Sequence, residues 1–204
     1  MSMKKIAVLG NAGGGKSTLS KKLSHLLNIK AYHLDDLFKS SDGNKGFSEK
    51  EQLAIQDEIL LKPSWIIEGV GAWSTIILRL KFADTIIIIS HPLFFHYYIV
   101  IKRYLSDLFK QRKLLINQRK LFSQNKKLHG NHSSRSTSKK ELPEIKRELS
   151  RIKKMLIMPW HLHYYWLPQL KSAIDVICDE DQTVIILKSF TQIDTFIIML
   201  NSHD

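Results

Sequence analysis

Eight consecutive residues near the start of the chain, Gly10-Asn11-Ala12-Gly13-Gly14-Gly15-Lys16-Ser17, fit G-x-x-x-x-G-K-[ST] without a gap. Glycines at this density let the backbone take positive φ, so that successive N–H groups turn inward around a phosphate chain. Lys16 would then reach the β/γ oxygens as a point charge, and the Ser17 hydroxyl would ligate Mg²⁺. Thr18 follows in the first helical turn, where the helix dipole favours an anion. The chemistry these types and spacings point to is the binding of a nucleotide triphosphate with its cation.

Two further stretches offer carboxylates. Glu68 ends the apolar run Trp65-Ile66-Ile67 and precedes a glycine, a place suited to an acid that holds metal-bound water. Asp35 follows Ala31-Tyr32-His33-Leu34 and is expected at the tip of a strand, where it would accept the proton of an acceptor hydroxyl or contact Mg²⁺. Asp36 would serve instead, or cap the next turn. His33 alternates into the sheet and reads as a core residue rather than a catalyst. A guanine-specifying N-K-x-D is missing, because Asn44-Lys45 continues as Gly46-Phe47.

Positioning these residues requires alternating strands and helices. Ile6-Ala7-Val8-Leu9 reads as a buried parallel strand, and residues 16–28 as an amphipathic helix with Leu19, Leu23, Leu26 and Leu27 on one face. Residues 40–46 are turn-like, and Ser48 with Glu51 forms a capping-box pattern that opens a helix to about residue 61. A third helix is expected over 72–82 and the β-branched run 84–89 is the clearest buried strand. Residues 92–122 follow a helical pattern, 123–140 read as a flexible loop, Pro143 opens another helix, and Pro159 interrupts before helix resumes over 160–171. A last strand at 184–187 and a helix at 193–200 close the set. The expected fold is a three-layer α/β/α domain with a parallel five-stranded sheet. Ligands of such sheets bind at the carboxyl ends of strands, which gathers Gly10, Asp35, Glu68 and Ser90 at one edge.

The chain has 204 residues and a formal charge of +12, unevenly spread. Residues 102–154 carry 17 Lys/Arg against four acids, whereas the rest has 14 basic and 15 acidic residues. The reading is a near-neutral domain, 1–204, bearing a basic insert over 102–158 that forms an extended helical lid. That insert is read as a solvated lid, as a holder of a phosphate-rich acceptor through Arg112, Arg119 or Arg135, or as a nucleic-acid contact over 102–154. Amphipathic membrane attachment over 94–109 is a fourth reading. The single cysteine, Cys178, makes no internal disulfide and points to a reducing, cytoplasmic setting with a small buried thiol. No stretch approaches the ~18 apolar residues of a membrane span.

The ordered set GNAGGGKSTLSKKLSHLLNI, YHLDDLF, WIIEGV and ILRLKFADTIII resembles the small P-loop proteins known as DNA topology modulation proteins, which are similar to adenylate kinases. The closing VIILKSFTQIDTFI resembles the end of the same proteins. The resemblance covers about residues 3–105 and 160–200. It implies an adenylate-kinase-like P-loop NTPase fold and an ATP-Mg²⁺-dependent kinase acting on a small-molecule acceptor. The competing reading is a weakly active nucleotide switch that binds DNA or RNA through its basic lid. The resemblance also implies Arg79 as a ligand on the acceptor side, Arg103 as a lid arginine over the transferred phosphoryl, and Lys188-Ser189-Phe190 as the loop that packs the adenine. This chain has Glu68 where those proteins usually carry aspartate, and His161-Leu162-His163 where they tend to carry arginine.

Overall fold

The computed structural model describes residues 3–11, 13–38, 47–128, 150, 152–153 and 156–202, with side chains described at all of these except 103, 111, 115 and 117–128. The chain divides into two compact units, Met1–Leu93 with His161–Asp204, and Phe94–Trp160.

The first unit holds a five-stranded sheet. In chain order its elements are β1 (Lys5–Gly10), α1 (Lys16–Leu27), β2 (Ala31–His33), α2 (Leu34–Leu37), α3 (Glu49–Leu60), β3 (Trp65–Glu68), α4 (Trp73–Phe82) and β4 (Thr85–Ile89). After the second unit come a π-helical turn (Leu162–Trp166), α6 (Leu167–Ile177), β5 (Thr183–Leu187) and α7 (Phe190–Asn201). The helix that enters the second unit, Leu93–Leu128, is α5.

Every strand pair is parallel and the order is β2-β3-β1-β4-β5. Strands buried on both faces explain the near-continuous β-branched runs. Side chains alternate along each strand, so one sequence feeds two cores. Ala7, Leu9, Ile67, Ile86 and Ile88 pack with Ile59 and Leu60 of α3, Ile76 and Leu80 of α4, and Leu167, Leu170 and Ile174 of α6. Ile6, Val8, Ile66, Ile87 and Ile89 pack with Leu19 and Leu23 of α1 and Ile193 and Ile197 of α7. The result is the expected three-layer α/β/α P-loop fold. Cys178 sits at the margin of the first core, where burial and then Asp179 and Asp175 push its thiol pKa up. A raised thiol pKa keeps it protonated and unreactive.

The chain starts β1 on one fixed carboxylate: the backbone N–H groups of Lys4 and Lys5 each donate to Asp84 Oδ2 at 2.8 Å. Helix α3 opens with the expected capping box, Ser48 N–H donating to Glu51 Oε2 at 2.7 Å while Glu51 N–H donates to Ser48 Oγ. At the other end of β1 the backbone passes very close to β4. A Cβ on Gly10, whose φ is +138°, would lie 2.2 Å from the Ile89 carbonyl oxygen. Neither backbone has a rotamer with which to yield. Gly10→Ala is expected to cost about 2–5 kcal/mol of stability, from contact and backbone strain together. A denaturant midpoint indistinguishable from the parent's would refute this.

Several expectations are corrected. β2 stops at His33, and Leu34, whose side chain is fully buried, opens α2. Asp35 therefore sits in a helical first turn, favourable for a carboxylate, rather than at a strand tip. In the second unit α5 runs to Leu128, so 123–128 are helix and not loop. That stretch has no glycine or proline, and its Gln, Lys and Leu residues propagate a helix already nucleated upstream. Residues 156–160 are helical through Pro159, which removes only one ladder bond, and a π turn follows. Within this unit the Tyr97 hydroxyl donates to the Leu156 carbonyl at 2.9 Å. The turn expected at 40–46, Arg119, Arg135 and the remainder of the expected loop over 129–140 lie outside the described residues or side chains, as does the helix start at Pro143. Among the described residues no helix is long and apolar enough to cross a membrane.

Candidate functional site

Strand order decides where the site lies. The chain goes from β1 to one side for β2 and β3, and then to the other side for β4 and β5. The carboxyl end of β1 is thus the point where the topology reverses, and a crevice opens there. The glycine-rich turn fills that point, and α1 leaves it with Gly15 as N-cap at φ 92°. A Cβ at Gly15 would meet the Phe190 ring at 2.9 Å, and the φ of +92° itself favours glycine there.

The cradle is tied internally. Gly14 N–H donates to the Asn11 carbonyl at 3.4 Å, and Lys16 Nζ donates to the same carbonyl at 3.0 Å. Asn11 is buried, whereas Ser17 and Thr18 at the start of α1 are exposed. Gly13 and Gly14 complete the described turn, and Ala12 lies outside the described residues.

Glu68 stands beside this turn because β3 is the neighbour of β1, with Val8 and Glu68 in register. Its side chain shares a face with Ile66, the face covered by α1. There the Ser17 hydroxyl donates to Glu68 Oε2 at 3.1 Å. This brings together the two residues expected to serve the cation. His33 also belongs here, contrary to the expectation that it is a core residue. β2 and β3 pair with His33 opposite Glu68, and parallel in-register partners project to the same face. Its Nδ1 lies 2.8 Å from Glu68 Oε2.

Ser17, Lys21, His33, Asp35, Asp36 and Glu68 line a pocket of about 250 Å³. Asp35 and Asp36 are exposed at its rim. Among the described residues no three of His, Cys, Asp and Glu cluster as a ready-made metal cage. The donor set suits Mg²⁺ in another way, since this cation keeps several waters and takes one or two protein oxygens together with substrate phosphates. Ser17 Oγ, with its proton directed to Glu68, fits that requirement.

Arg79 is placed differently from the expectation that it binds an acceptor. It is fully buried, with Nε donating to the Thr75 carbonyl at 3.3 Å, Nη1 to Gly69 at 2.8 Å and Nη2 to Val70. Burial pushes the guanidinium pKa down to about 9, and the charge of Glu68 opposes the fall. The side chain is therefore a cation at neutral pH that pins the turn leaving Glu68. Arg103 lies on α5 and its side chain falls outside the described residues.

One further residue carries no local sequence signal. His91, just past β4, is buried with Nε2 3.0 Å from the Gly14 carbonyl and Nδ1 3.1 Å from the Lys188 carbonyl. Its ring packs 4.9 Å from Phe190. It joins the glycine-rich turn to the loop after β5, where Ser189 caps α7 by accepting from Gln192 N–H at 3.1 Å. Only its position after a buried strand that neighbours β1 would have marked it.

No protein-family model matches the chain, and no curated protein matches it in sequence. Among solved structures, a shikimate kinase from Acinetobacter baumannii in complex with shikimate superposes with a TM-score of 0.41 at 16% identity, covering 75% of this chain and 96% of that one. A sugar kinase from Janibacter sp. gives 0.41 at 11% identity, covering 98% and 95%. An inferred kinase from Chloroflexus aurantiacus gives 0.44 at 13% identity, covering 100% of each.

Proposed function

We propose that this protein is a small P-loop kinase that transfers the γ-phosphoryl group of ATP-Mg²⁺ to a hydroxyl of a small-molecule acceptor. The observation that carries the reading is the joining of Ser17 to Glu68 at 3.1 Å, on the wall of a pocket that also holds Asp35 and Asp36. A cradle alone would bind phosphate. A cradle that opens beside a carboxylate-lined pocket also has a place for a second substrate.

In the proposed reaction the acceptor oxygen forms a bond to the γ-phosphorus while the bond from that phosphorus to the β–γ bridging oxygen breaks. ADP leaves, and the acceptor's proton passes to the Asp35 carboxylate, with Asp36 as the alternative base. The turn's N–H groups and Lys16 hold the phosphates against the charge that spreads over their oxygens. When bound, Mg²⁺ supplies neutralisation of that charge, with Ser17 holding it directly and Glu68 through water.

The test is acceptor-dependent ADP release from ATP-Mg²⁺ across a panel of nucleosides, sugars, nucleotides and small metabolites. A hydroxyl acceptor that raises ADP release, with phosphorylated product recovered, supports the reading. ATP binding with no acceptor effect across the panel refutes it and favours the nucleotide switch.

A further inference from the structure

The contacts of Glu68 contain a feature that nucleotide binding alone does not explain. Both donors that reach this carboxylate converge on one oxygen, Oε2: the Ser17 hydroxyl at 3.1 Å and His33 Nδ1 at 2.8 Å. Among the described residues no hydrogen bond reaches the other oxygen. The Glu68 side chain is only 5% exposed, and that of His33 22%. His33 is held in place by its own register, opposite Glu68 on the neighbouring strand.

A glutamate at a strand end has one more rotatable bond than an aspartate, and its carboxyl torsion is broad. Left alone, it would sample several placements beside the cradle. The Ser17 hydroxyl has a single proton and rotates to suit its surroundings. If that proton is not drawn to a fixed acceptor, the serine lone pairs are not directed at a cation. Some other group must therefore fix the acceptor, and the only other side chain bonded to Glu68 among the described residues is His33.

We propose that His33 is a positioning residue for the cation of the nucleotide, acting through Glu68. Its Nδ1–H locks the carboxylate so that Oε2 receives the Ser17 proton. The serine lone pairs then face outward, and Oε1 is left for the water shell of the metal. This inference rests on the kinase reading for its choice of Mg²⁺ and ATP, and it assigns to His33 a role in cation affinity, not in proton transfer.

The test is binding of a fluorescent N-methylanthraniloyl-ATP to the full chain, titrated with MgCl₂ and repeated in EDTA. His33→Leu is expected to raise the Mg²⁺ concentration for half-saturation about 10-fold, within the range found for partners that orient metal ligands. Binding in EDTA should stay at the parent value. His33→Asn, whose amide N–H₂ can stand near the place of Nδ1, should recover most of the loss. In a Glu68→Gln background, His33→Leu should add nothing further. In turnover with any acceptor found, KM for ATP at limiting Mg²⁺ should rise while kcat at saturating Mg²⁺ changes less than twofold. A Mg²⁺ dependence within twofold of the parent in His33→Leu overturns the proposal, as does an Asn variant no better than the Leu variant. An undiminished effect of His33→Leu without the Glu68 carboxylate overturns it too. If His33→Leu fails to fold, His33→Asn and the Glu68→Gln pair decide the matter. A parent protein that binds the probe with no Mg²⁺ dependence would remove the kinase reading as well. A normal parent with an indifferent His33 would remove this inference alone.

Discussion

Lys16→Ala is expected to lower the proposed phosphoryl transfer by about 10²–10³-fold, the loss that follows removal of one fixed group aimed at charge developing in the transition state. The substitution sits in the first turn of α1, where alanine is the best helix former, and Lys16 belongs to neither core. Its ammonium donates to the Asn11 carbonyl at 3.0 Å, a contact within the turn itself. The fold should therefore survive, with an unchanged unfolding midpoint and circular dichroism spectrum. Single-turnover transfer separates the outcomes. A kcat reduced with the fold intact places Lys16 on the transferring phosphoryl. A raised KM with kcat preserved would place it on the ground-state phosphates only. Unchanged kcat and KM would refute the proposed site.

The other large effect is expected on stability. Arg79→Ala removes a fully buried cation and leaves the Gly69 and Val70 carbonyls without the donor they share. A buried group stripped of its partner costs its full desolvation, and the summed loss is about 3–5 kcal/mol. Lysine cannot repeat the fork of contacts, so Arg79→Lys should recover only part of this. Because those carbonyls belong to the turn just after Glu68, the loss should not stop at stability. In a variant kept folded at low temperature, the Mg²⁺ requirement for nucleotide binding should also rise. Equilibrium urea unfolding measures the first effect and the fluorescent nucleotide titration the second. A stability loss below about 1 kcal/mol would mean that these contacts are weak in solution, against the expectation for charged, buried hydrogen bonds.

How much of this was legible in the sequence follows from the range of each signal. The turn at 10–17 was readable because its whole mechanism is contiguous: spacing, glycines, lysine and hydroxyl lie in one run. The capping box at Ser48 and Glu51 was readable for the same reason. Glu68 could be marked by a strand ending before a glycine, and its meeting with Ser17 followed once β3 was placed beside β1. The contact of His33 with Glu68 is not legible, because alternation along a strand says that faces differ, not which face meets which neighbour. That depends on the pairing of β2 with β3, a relation between residues 35 positions apart. The place of Arg79 is not legible, because its spacing on α4 is equally consistent with reaching outward or back to the turn before its own helix. Ten residues of separation close only in space. His91 carries no local signal, since its partners lie 77 residues before it and 97 after it.

That last pair of contacts has a consequence for the order in which the chain is made. The glycine-rich turn leaves the ribosome well before the residues that back it. β1 cannot pair with β4 until residue 89 has emerged, and His91 has no Lys188 carbonyl to join to Gly14 until nearly a hundred more have followed. Long-range pairings of this kind form slowly and reward the chain only when complete. A nascent chain shorter than about residue 190 thus carries the whole motif but not the site. If the chain binds ATP as proposed, the nucleotide favours only the finished cradle and is a selective stabiliser of chains whose synthesis has reached that point.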